Sequence, residues 1–128
     1  MKMINNNYEI TFAFLVATLF FTLGHTTAQA ATAIENYDHY CTQCHGTEGK
    51  GNGVNATDEM PVSPRNHTDP KEMGKLTSED VYFAIKDGGK SVGKSSLMPR
   101  WGGTLDDGEI KALVEHLSTL CNCKYKAK

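Results

Sequence analysis

The sequence predicts an all-α domain in which three main helices are joined by long loops. Three observations predict it. Three segments repeat apolar residues at three- and four-residue spacing, as one face of a helix requires. Two of them open on a capping sequence, with a hydrophobic staple across it. No segment shows the alternation of a strand. The loops, 46–75 and 88–104, are too long to organise themselves in so small a chain. Something other than protein is expected to lie against them.

Residues 1–30 read as a leader rather than as fold. Lys2 gives a weakly positive start, Ile10 to Leu23 is apolar and uncharged, and Ala28-Gln29-Ala30 places small residues where a signal peptidase reads. The apolar run is shorter than the roughly 20 residues of a membrane-spanning helix. Cleavage after Ala30 is expected, leaving residues 31–128 as one domain. An uncleaved leader would instead act as an anchor.

The first helix is expected over Ala33 to Cys44, with Ile34, Tyr37, Tyr40, Cys41 and Cys44 on one face. The second begins at Thr77, where Asp80 completes an acidic capping box, Leu76 and Val81 form the staple, and Val81, Ala84 and Ile85 share a face. Gly88-Gly89 stops it. The third repeats that arrangement, with Asp106 as cap, Glu109 answering it and Leu105 and Ile110 as staple. Ile110, Leu113, Val114, Leu117 and Leu120 then form an apolar stripe.

The chain has 128 residues and a formal net charge of −2, a balance that loss of Lys2 and Glu9 with the leader leaves unchanged. There is no basic excess of the kind nucleic-acid binding needs. A domain this small commonly needs a disulfide, a metal or a cofactor to hold it.

Cys41-Thr42-Gln43-Cys44-His45 supplies such a staple. C-x-x-C-H is the attachment signature of c-type haem. Two thiols one helical turn apart face the same way and can each add to a vinyl group on one porphyrin edge. The next residue then brings an imidazole to the iron. A disulfide or zinc knuckle would leave His45 unexplained, and a thioredoxin-like pair would want a βαβ context. For the sixth iron position the candidates are Met60, Met73, Met98, His67, His116 and the second cysteine pair. Met98 is the best placed, between a glycine-rich segment and the last helix, with Pro99 stiffening the chain behind it.

With these residues in place the sequence resembles class I cytochromes c, in particular short bacterial monohaem ones. The matching elements are Tyr37, the stretch from Cys41 to Gly53, Pro64-Arg65-Asn66, Leu76 to Gly89, Met98-Pro99-Arg100-Trp101-Gly102, and Leu105 to Leu120. The resemblance implies a fold wrapped around one covalently bound haem c, with His45 proximal, Met98 distal and Tyr37 at a helix crossing. It implies that the carbonyl of Pro64 accepts from His45 Nδ1–H, and that Trp101 packs near the haem edge with its indole N–H open to a propionate. Two positions depart from the family pattern. Ala33 replaces a frequent glycine. His116 replaces a frequent aromatic and is expected to pack rather than bind metal.

The function expected is electron transfer rather than catalysis: an exported, periplasmic or equivalent carrier that exchanges single electrons with protein donors and acceptors. A haem-based binder of small gases, or a haem subunit of a larger redox complex, is the alternative. Asp106, Asp107 and Glu109 read as helix capping rather than as catalytic carboxylates. Lys86, Lys90, Lys94 and Arg100 cluster around Met98 and would steer an acidic partner. The basic tail, Lys124 to Lys128, is expected to be solubilising. Membrane contact is expected only through partners or an uncleaved leader. Cys121 and Cys123 lie outside the family pattern. Read as helical neighbours two apart, they diverge too far for an internal bond. A disulfide-linked partner chain through Cys121 or Cys123 is therefore expected, with free thiols or a metal contact as the alternatives.

Overall fold

The computed structural model describes residues 31–128; the expected leader and its cleavage site lie outside the described residues. Five α-helices and one 3-10 turn are present among them, and no strand. Helix α1 (Ala33–Tyr40) runs almost directly into the single turn α2 (Thr42–His45). After a long loop come α3 (Pro70–Met73) and α4 (Ser78–Asp87). A 3-10 turn at Gly89–Val92 leads into the second loop and then α5 (Asp107–Leu120). No helix among the described residues is long and apolar enough to cross a membrane.

The caps expected for α4 and α5 are present as full boxes, Thr77 with Asp80 and Asp106 with Glu109. A third box, Thr32 with Glu35, opens α1. Its hydroxyl and carboxylate satisfy amides that the first turn leaves without helical partners. The expected single helix over 33–44 is broken at Cys41, whose backbone (φ −108°, ψ −34°) departs from the helical path. Cys41 still bonds to the Tyr37 carbonyl and accepts from the His45 amide, so the turn carrying the motif stays anchored to α1. Helix α3 interrupts the loop that was expected to be unstructured. Asp69 caps the Lys71 and Glu72 amides, and Pro70 sits at the first helical position, where its missing N–H costs nothing.

The core forms where α5 meets α1 and α4. Ile110, Leu113, Val114 and Leu117 face Tyr37, Val81 and Ile85, with Met73 and Leu105 closing the ends. Buried Asn36 ties the crossing by donating to the Glu109 carboxylate at 3.3 Å.

The chain after α5 differs from both expectations made for it. The helix ends at Leu120, Cys121 caps it, and Asn122 turns in the left-handed region (φ 45°). That turn brings the Cα atoms of Cys121 and Cys123 to 5.1 Å, and their sulfurs are joined in an intrachain disulfide. The divergence argued from helical geometry fails because the pair is no longer on a helix. The bridge to another chain is replaced by this internal bond. The tail itself folds back. The Tyr125 hydroxyl donates to the Val114 carbonyl at 2.8 Å, and the Lys126 amide to the Leu76 carbonyl at 2.8 Å. Lys128 pairs with Glu79.

Candidate haem site

The site is built from the joint between α1 and α2. Cys41 and Cys44 are free, partly buried thiols one turn apart, and Cys41 packs against the core. Burial, with the Cys44 thiol second, pushes the Cys41 thiol up to about 12. The surroundings thus favour an uncharged sulfur, which is what a thioether presents.

His45 follows at once. Its Nδ1–H donates to the carbonyl of Arg65 at 3.0 Å. Burial holds its pKa below the usual histidine range. The ring is therefore neutral, and with Nδ1 protonated its Nε2 carries the free lone pair of a metal ligand.

The first loop is laced to this turn by backbone bonds. Gly51 N–H donates to the His45 carbonyl at 2.8 Å, Gly53 N–H to Cys44 at 3.0 Å and Asn55 N–H to Gln43 at 2.7 Å. These approaches demand glycine. Gly51 has φ +79°, and a Cβ there would strike the Pro64 carbonyl oxygen. Here the structure departs from the role implied for Pro64. The Pro64 carbonyl lies over Gly51, and the acceptor for His45 is Arg65, one residue on. The two adjacent carbonyls thus meet different partners, Pro64 the Gly51 backbone and Arg65 the imidazole.

Met98 and Trp101 reach the same core from the second loop. Met98 is partly buried against it, and its carbonyl accepts from the Gly89 amide at 3.1 Å. The Trp101 backbone amide donates to the Ile85 carbonyl at 3.0 Å, and the indole ring lies 5.0 Å from the ring of Tyr40, the residue before Cys41. Cys41, Met98 and Trp101 thus pack on one hydrophobic cluster. Among the described residues, no hydrogen bond joins Met98 to His45.

The remaining iron-ligand candidates separate by position. Met73 is 1 % exposed within the core and is occupied by packing. Met60 sits in a loop turn closed by the Thr57 carbonyl. His116 lies edge-on to the Tyr37 ring at 5.2 Å, the packing role expected of it. His67 is buried, and its ring stacks on that of His45 with centroids 4.0 Å apart and planes 20° apart. Two imidazoles on opposite faces of one porphyrin meet end to end through the iron, not face to face. His67 is therefore a neighbour of His45, not its opposite ligand. Its pKa is lowered to about 2, first by burial and then by His45, Arg65 and His116. The periodicity of the sequence does not flag His67, because it lies in a loop and its partners are distant.

Of the four cations around Met98, Lys86 is committed: it pairs with Asp107 at 2.8 Å and touches the Tyr82 hydroxyl. Lys90, Lys94 and Arg100 are exposed.

These residues fit a covalently attached haem. Two uncharged thiols and a neutral, oriented imidazole make the donor set. Val54 and Val62 in the first loop and Leu97 in the second are 81 %, 57 % and 51 % exposed, apolar surface that a flat apolar ring could cover.

A family model described as cytochrome C oxidase, cbb3-type, subunit III matches residues 28–117. No curated protein matches. Among solved structures, the chain is similar to the KustC0563 c-type cytochrome, with a TM-score of 0.54 and 22 % identity over 73 % of this chain and 99 % of that one. It is also similar to a chain of the Kuenenia stuttgartiensis reducing HAO-like protein complex Kustc0457/Kustc0458, with a TM-score of 0.54 and 25 % identity over 75 % of this chain. The present chain spans 44 % of that chain's length.

Proposed function

The chain belongs to the cytochrome C oxidase, cbb3-type, subunit III family and is a class I c-type cytochrome carrying one covalent haem c, and from that premise we propose that it passes single electrons through an iron held by His45 and Met98. The observation that carries the reading is the turn Cys41–His45, where two free thiols precede an imidazole whose Nδ1–H is fixed on the Arg65 carbonyl.

The bound haem supplies a one-electron ferric/ferrous couple. Cys41 and Cys44 would hold it by thioethers, and His45 would offer its Nε2 to the iron. Met98, whose carbonyl accepts from the Gly89 amide, would hold the iron through its thioether and would favour the ferrous state. Trp101, packed against Tyr40, would line the haem and offer its indole N–H to a propionate. Exposed Lys90, Lys94 and Arg100 steer an acidic redox partner. The intrachain disulfide supports an oxidising compartment, in keeping with an exported chain.

The likeness to a chain of a named reducing protein complex favours a second form of the same reading, in which the domain works as a haem subunit of a larger redox assembly.

Optical spectra of oxidised and reduced holoprotein, with a mass and an acid-acetone extraction, test the proposal. Expected are pigment that stays with the polypeptide, a mass one haem above it, and the weak red-edge band of iron–methionine bonding. Extractable pigment, or zinc in its place, overturns the haem reading. Covalent haem without that band, with rapid CO binding, overturns the Met98 ligation and favours a gas-binding function.

A further inference from the structure

We infer that His67, anchored by Tyr37, is a positioning residue that locks the plane of the His45 imidazole against the iron. The inference rests on the haem reading above and assigns a role to a residue which that reading leaves without one.

A single hydrogen bond does not hold a histidine ring. The torsion between Cβ and the ring is broad, because it joins a tetrahedral to a planar atom. The bond from Nδ1–H to the Arg65 carbonyl fixes the tautomer and one edge of the ring, and still lets the plane rock. A flat group laid on the face removes that freedom. His67 is such a group, stacked on His45 at 4.0 Å and 20°.

His67 is itself held at independent points. Its amide donates to the Gly49 carbonyl at 2.6 Å. Its Nδ1 shares a buried hydrogen bond of 3.0 Å with the Tyr37 hydroxyl. Tyr37 is 2 % exposed in the α1–α5 crossing, and the His116 ring lies edge-on against it. Position is thus transmitted from the buried helix crossing, through Tyr37 and His67, to the ligand ring. Phenylalanine at 67 could supply the face but would leave the buried Tyr37 hydroxyl unpaired, which is costly. The histidine meets both needs.

The plane of an axial imidazole decides which iron d orbital its π system meets. That choice is read directly in the ferric state, as the order and spread of the hyperfine-shifted haem methyl protons. Rigid placement also lets the iron change oxidation state with little rearrangement.

The test is proton NMR and electron paramagnetic resonance of ferric holoprotein with wild type, His67→Ala, His67→Leu, His67→Phe and Tyr37→Phe. The leucine variant keeps bulk without a flat face, so it serves where the alanine variant fails to mature. Expected are a compressed or doubled set of haem methyl resonances in His67→Ala and His67→Leu. A smaller change in the same direction is expected in both Tyr37→Phe and His67→Phe, each of which keeps a flat face on His45 and loses the Tyr37–His67 bond. Wild-type methyl patterns in His67→Leu and Tyr37→Phe, with only thermal stability lowered, would reduce His67 to core packing and overturn the inference. Failure of the haem reading is separate and visible in wild type alone, as extractable pigment or the absence of a low-spin ferric signal.

Discussion

The amide of Gly53 bonds to the carbonyl of Cys44 at 3.0 Å, so the first loop is stitched to the turn that carries the haem-attachment thiols. A Cβ at Gly53 would run into the carbonyl oxygens of Thr42 and Gln43, which are backbone and cannot swing aside. Gly53→Ala is expected to cost about 1–3 kcal/mol, the range of a strained backbone site, and to lower the yield of covalent haem. Gly103→Ala is the control, because a Cβ there meets nothing within 4 Å. Thermal denaturation and the haem-to-protein absorbance ratio report both effects.

Replacing Met98 with alanine is expected to open the sixth position. CO should bind the reduced protein rapidly and the reduction potential should fall, because the thioether no longer favours ferrous iron. Met60→Ala, made alongside, should leave both unchanged. Unaltered CO kinetics in Met98→Ala, together with altered kinetics in Met60→Ala, would reassign the ligand.

The disulfide between Cys121 and Cys123 is expected to keep the chain monomeric by this route. Electrophoresis should show one monomer band with and without reductant. Thiol titration of denatured holoprotein should find none before reduction and two after. The bond encloses one residue, so its chain-entropy contribution lies at the small end of the ~0–5 kcal/mol range. Cys123→Ser should therefore lower the melting temperature slightly. It should also speed amide exchange at Lys126, whose bond to the Leu76 carbonyl depends on the turn.

Acid should expose the helix caps. The Asp80 carboxyl is held below its ordinary 3.8, first by the Thr77 amide and then by the Thr77 hydroxyl. A depressed carboxyl contributes stability that is present above the unfolded value and lost as pH falls through the folded one. Asp80→Ala should therefore melt below wild type near neutral pH. The gap between the two should close in the acid range beneath 3.8. A gap independent of pH would show that the cap acts without its charge.

What the sequence determined by itself about this protein is what rests on residues a few positions apart. The helical stripe from Ile110 to Leu120, the boxes at Thr77 and Asp106, and the C-x-x-C-H turn are all local. Their hydrogen bonds and shared faces span three or four residues, so spacing alone reveals them. The boxes at Thr32 and the Asp69-Pro70 start of α3 are equally local and were legible in principle. Only the tertiary structure decided the meetings across loops: Arg65 rather than Pro64 under His45, the His45–His67 stack and the Tyr37–His67 bond. Those depend on the path of the loop, and positive-φ glycines set that path. A one-residue change of phase swaps the carbonyl that faces the imidazole, and no local pattern records the phase. The tail follows the same logic: where α5 stops, and which way Asn122 then turns, decides whether Cys121 and Cys123 diverge or bond.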